Sequence, residues 1–186
     1  MISEELKKEN EERFYNIMKS VSRKGKDEFL SYLKNKTDFF SAPAAENGVL
    51  ACPGGLLQHC LNVYDCAMKK VQSAFWNNEA KAKTENMIIA SLFANLHLIN
   101  YFEEMRNDKK ELTGYHIVDK MPFGQGEKSV WIMNSFMQLF NCEVYSIRWF
   151  KANPTEAGFI TAAKSYPLTL VLYEAEIEAR MIVEKR

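Results

Sequence analysis

Apolar residues recur at intervals of three and four along most of the chain, and this spacing predicts helices separated by turn-rich segments. Ser3 can cap a first helix that carries Leu6, Phe14, Ile17, Met18 and Val21 on one side. Gly25 punctuates it, and a shorter helix with Phe29, Leu30 and Leu33 follows. Residues 37–55 read as an ordered loop. Its Pro and Gly residues break a helix, while Phe39, Phe40, Val49 and Leu50 call for burial. Leu56 to about Asn77 gives the clearest amphipathic helix, with Leu57, Cys60, Leu61, Tyr64, Met68 and Val71 in register. Thr84 to about Asn100 is apolar on nearly every side and predicts a buried helix. Residues 101–126 are polar and irregular, with Tyr115–Val118 as one arm of a short hairpin near 112–122. Glu127–Phe140 and Asn141–Phe150 read as helices, Lys151–Thr161 as a loop, and Ala162 onward as a final helix with Pro167 in its first turns. The fold class expected is therefore all-α, a compact helical bundle. Residues 1–36 form an N-terminal helical extension packed on a core domain of residues 37–186.

Composition narrows the classes of function. With 186 residues, 47% of them apolar, the chain can bury a substantial core. Its 24 basic residues balance 24 acidic ones, which argues against broad binding to nucleic acid or to an acidic membrane. No apolar stretch approaches the length of a membrane span, and the charged start lacks the apolar region of a secretory signal. Four cysteines without a CxxC pair suit reduced thiols in a cytoplasmic protein. Only three histidines, His59, His97 and His116, are present to build a metal centre.

Two stretches carry chemistry. One runs from Phe39-Phe40-Ser-Ala-Pro-Ala to Gly54-Gly55-Leu56-Leu57-Gln58-His59, and the other is Pro122-Phe-Gly124-Gln125-Gly126-Glu127-Lys128-Ser129. With Ile147-Arg148-Trp149 and Pro167-Leu168, they resemble the HD-domain metal-dependent phosphohydrolases, and within them a compact bacterial and phage subgroup. The resemblance covers roughly residues 37–185. It implies a metal held by a His after the Gly-Gly turn, a His-Asp pair on the next buried helix and an Asp on the last helix. Such a metal lowers the pKa of a bound water and neutralises phosphate charge, which takes several imidazoles and carboxylates at one point.

Carried over position by position, the resemblance places the first ligand on His59 and the His-Asp pair on Ala94-Asn95. It places the family lysine on Leu98, further histidines on Gln125 and Phe150, and the last Asp on Glu176. The turns of the scaffold are kept while most ligand positions are changed. An α-helical spacing of two residues turns His97 away from Asn95, and His97 reads as a packed, satisfied core residue. The resemblance thus implies a catalytically inactive relative that binds a nucleotide or phosphate-containing ligand, or serves as a regulatory interaction module with a protein partner. The ligand-binding candidates are His59, Asn95, Gln125, Lys128, Arg148 and Glu176. No catalytic residue, cofactor or metal is expected. The alternative is a phosphohydrolase with a reduced site that holds a divalent metal through His59 and Glu176, helped by His116.

Overall fold

In the computed structural model, residues 2–73 and 84–185 are described. The chain forms α1 (Glu4–Met18), α2 (Lys26–Lys36), α3 (Gly55–Val71), α4 (Thr84–Phe93), a 3₁₀ turn (Ala94–Leu98), β1 (Phe102–Arg106), β2 (Leu112–Ile117), α5 (Gln125–Asn134), α6 (Asn141–Trp149), α7 (Ala157–Ser165), α8 (Leu168–Glu178) and a π-helical turn (Ala179–Val183). Among the described residues the fold is thus mostly helical, with one antiparallel hairpin as its sheet. Among the described residues no helix is long and apolar enough to cross a membrane.

The centre of the molecule is α3, which packs against α4, α8 and α1, while α6 packs against α4, α5 and α8. Phe14 and Met18 of α1 and Phe29 and Leu33 of α2 belong to the same buried cluster as Leu56, Phe93 and Leu172. Their aromatic rings meet edge to face, as between Phe29 and Phe93 with centroids 5.0 Å apart, the arrangement favoured by ring quadrupoles. Loop 37–54 is tied down by main-chain bonds from Gly54 to Ser41 and from Leu56 to Ala42. Asp38 and Asn100 exchange bonds that fasten the same loop to the segment after the 3₁₀ turn. At Gly55 a Cβ would lie 2.1 Å from the Leu50 carbonyl oxygen, so the start of α3 requires glycine there.

Several expected boundaries move. The helix beginning near Leu56 ends at Val71, and residues 74–77 of the expected element lie outside the described residues. The helix expected over 84–100 stops at Phe93 and tightens into the 3₁₀ turn. Ser129 explains the change: its hydroxyl donates to the Ala94 carbonyl at 2.7 Å and accepts from the His97 amide at 3.0 Å. A side chain from α5 thereby takes the bonds that an α-helix would make for itself. The final element is also divided. The backbone extends at Tyr166, and Pro167, which lacks an N–H, stands at the N-cap of α8. Part of the expected loop 151–161 is helical, because α7 already begins at Ala157. The hairpin spans 102–117, with Glu103 opposite His116 and a bulge at Met105/Arg106.

Candidate functional site

Three segments bring His59, Asn95 and Glu176 together. His59 lies in the second turn of α3, Asn95 in the 3₁₀ turn and Glu176 near the end of α8. His59 is 0% exposed. Its Nε2 lies 3.2 Å from Glu176 Oε2 and its Nδ1 lies 2.5 Å from Glu184 Oε1. Each ring nitrogen thus faces a carboxylate oxygen, an arrangement that favours the doubly protonated ring. Asn95 donates from Nδ2 to Glu176 Oε2 at 3.0 Å, and its Oδ1 accepts from Lys151 Nζ at 2.8 Å. Reversing that amide would set oxygen against carboxylate and NH₂ against ammonium, so its orientation is fixed. Glu176 Oε1 takes the Arg180 guanidinium at 2.6 Å and the Lys151 ammonium at 3.3 Å. Asn62 adds a bond to Glu184 at 3.1 Å.

The electrostatics follow from this packing. Burial alone would push the Glu176 pKa up, yet His59, Lys151 and Arg180 together hold it well below the usual carboxylate range. Burial would likewise lower the His59 pKa, but Glu176 and Glu184 outweigh it and the net shift is upward. Glu184 is also driven down against burial by its bond to His59. Lys151 goes the other way. Desolvation dominates, assisted by Arg180, and brings its pKa to about 8 despite the pull of Glu176. Burial pushes the neighbouring Cys60 thiol upward, so it stays protonated.

A metal ion does not fit this donor set. The two ring nitrogens of His59 point in divergent directions, so Glu176 and Glu184 sit on opposite edges of the ring and do not converge on one point. Each oxygen of Glu176 already accepts two donors. Asn95 supplies no charge, and its oxygen faces an ammonium. Among the described residues no group of three or more His, Cys, Asp or Glu is arranged to hold a metal. The expected helper His116 lies on β2, half exposed, 3.6 Å from Glu103 across the strand pair.

The remaining candidates divide. Gln125 and Arg148 line a cleft of about 230 Å³ together with Gly124, Gly126, Glu127, Phe150, Lys151 and Ala152. Arg148 meets Glu127 at 2.5 Å through Nε and lies over the Trp149 ring. Gly126 lets α5 approach α6 closely, because a Cβ there would lie 2.4 Å from the Ile147 carbonyl oxygen. Lys128 is not with them: its side chain is buried, bonded to Asp119 at 3.0 Å and placed over the Tyr101 ring. His97 also departs from expectation. It is packed, 2% exposed and against Phe150, but neither ring nitrogen has a hydrogen-bond partner. Desolvation, with Lys151 nearby, holds its pKa well below the ordinary value, so the ring is neutral.

Lys151, Arg180 and Glu184 were not among the residues expected here. Lys151 begins beyond the Arg148-Trp149-Phe150 motif, at the surface, and its side chain dips inward to 25% exposure. Arg180 and Glu184 are delivered by the π-helical turn, closed by the Glu184 amide on the Ala179 carbonyl at 3.0 Å. Such widened turns are frequent at functional sites. Comparison of the chain with protein-family models, with curated proteins and with solved structures finds no match in any of the three.

Proposed function

We propose that this protein is an HD-domain-like binder of a nucleotide or other phosphate-containing ligand, and that it does not hydrolyse what it binds. The convergence of His59, Asn95 and Glu176 from three separate segments is what the resemblance requires of its metal-site positions. The observation that carries the reading is Lys151. Its ammonium sits on the oxygens of Asn95 and Glu176, where it supplies positive charge in place of a metal, and the same side chain lines the adjoining cleft. A tethered ammonium neutralises a phosphate but does not generate hydroxide from water as a divalent metal does. Arg148 and Gln125 line the same cleft at the start of α5, where Glu127 pairs with Arg148 and would have to yield it to a phosphate. A guanidinium and helix N-terminal N–H groups are suited to phosphate oxygens.

The test is calorimetric titration with nucleoside mono-, di- and triphosphates and cyclic nucleotides in EDTA. At least one of these should bind. Arg148→Ala and Lys151→Ala should each weaken it by about tenfold, the equivalent of one charge-assisted hydrogen bond at about 1.4 kcal/mol. Binding that appears only when a divalent metal is added would contradict the reading.

A further inference from the structure

A wide groove lies away from the His59 network. It holds about 630 Å³ between residues 46–53 and β2, and Glu46, Val49, Cys52, Glu111, Leu112 and Tyr115 are among its walls. Five consecutive residues, 111–115, line it. A sheet face would offer every second residue, whereas a strand edge offers consecutive ones. Among the described residues the sheet has two strands, and β2 is paired there on one side only. The Val118 amide donates to the Tyr101 carbonyl at 2.8 Å. The alternation of an antiparallel ladder then directs the backbone of residues 116 and 114 toward β1 and turns the N–H and C=O of Tyr115 outward.

One unpartnered side chain at this edge is enclosed, and a second is open to the groove. The Tyr115 residue is 4% exposed, yet its buried hydroxyl has no hydrogen bond. A buried polar group left so costs about 1–3 kcal/mol, and with no surface of its own exposed it is closed to a ligand in the groove. Glu46 is half-buried and makes neither an ion pair nor a hydrogen bond among the described residues. The lining contains two carboxylates, Glu46 and Glu111, and no cation, while Val49 and Leu112 expose apolar surface.

We propose that this edge and groove take up an extended basic peptide by strand addition. The peptide main chain pairs with the N–H and C=O of Tyr115, and a Lys or Arg side chain meets Glu46. Apolar side chains of the peptide cover Val49 and Leu112. Main-chain bonds then provide affinity and the side chains specificity. The charge of the groove selects a basic partner over a second copy of this chain, which would bring the same carboxylates to the shared edge.

The experiment uses the full chain and a positional-scanning library of acetylated, amidated hexapeptides, read by fluorescence anisotropy. Pools with Lys or Arg at one position should bind, and Glu46→Gln should weaken the best peptide by about fivefold or more, as expected for a partly desolvated charge pair. Thermal unfolding should show that this variant remains folded. Methylation of the peptide nitrogen that faces Tyr115 should abolish binding, because it removes a ladder hydrogen bond. The proposal is overturned if no pool binds below about 1 mM, or if binding is indifferent to Glu46→Gln and to N-methylation. Self-association of the chain through β2 that excludes every peptide overturns it equally.

Discussion

Replacing Glu176 with Gln removes one charge at nearly constant volume. The wild-type network sets three cations, His59, Lys151 and Arg180, against two carboxylates, Glu176 and Glu184. The variant leaves the three cations facing Glu184 alone, in a site where the Glu176 side chain is 3% exposed. Breaking a buried ionic network by removing one partner costs about 3–5 kcal/mol, because the remaining charges stay desolvated and unpaired. For a chain of this size each kcal/mol lowers the melting temperature by about 2–4 °C, so Glu176→Gln should melt roughly 6–20 °C below wild type. Urea unfolding at pH 7 measures the same loss. An NMR titration should show the His59 pKa falling, since the carboxylate that raises it is gone. Lys151→Met in the Glu176→Gln background should recover part of the loss, because it removes a surplus cation; the double-mutant cycle isolates this coupling. A loss under about 1 kcal/mol, which is typical of exposed pairs, together with an unmoved His59 pKa, would refute the account of a closed ionic network.

Other outcomes follow from the same geometry. Gly126→Ala drives a methyl group into the Ile147 and Arg148 carbonyls and should cost about 1–3 kcal/mol in urea unfolding, as overpacking does. Phe93→Ala removes the ring shared by Phe14, Phe29 and Phe39 and should cost about 3–5 kcal/mol by the same measurement. Stability should fall as the solution is acidified from pH 6.5 toward 4. Glu176 and Glu184 have folded pKa values below their unfolded ones, and so does His97, so the unfolded chain takes up protons first. His59 opposes this only above pH 6.5: its stabilisation is complete below its unfolded pKa and fades as pH rises through its raised folded value. Urea midpoints across this range test the sign, and His97→Leu should flatten the portion between pH 6.5 and 5.

The helical bundle was legible because its apolar faces are strongly periodic, as from Leu57 to Val71 in α3. His59, Asn95 and Glu176, singled out from the sequence, lie within hydrogen-bond distance of one another. What escaped depends on tertiary partners. Nothing in the run Ala94–Leu98 announces that Ser129 will intercept its main-chain bonds, yet this interception replaces the α-helical spacing on which the placement of His97 rested. The first residues of α7 fall within the expected loop 151–161, where Gly158 has the look of a turn residue. Gly158 instead gives the Trp149 ring room, since a Cβ there would meet it at 2.5 Å. Glu184 reaches His59 only because the chain widens into a π-helical turn after Glu178, a change that no residue type in Ala179–Val183 signals. Lys151 and Lys128 show how position outweighs type. Both are lysines near the same motifs, but Asp119 captures Lys128 while Asn95 and Glu176 draw Lys151 inward.

The central claim is that Lys151 and Arg180, not a metal, balance Glu176, and that the adjoining cleft binds phosphate without cleaving it. Its most direct measurement is phosphate release from nucleotides and phosphomonoesters with saturating Mn²⁺, Mg²⁺ or Ni²⁺, run alongside binding of the same compounds in EDTA. The account predicts binding in EDTA and no release above a no-protein control with any of the metals. Metal-dependent release that disappears in His59→Ala would contradict it.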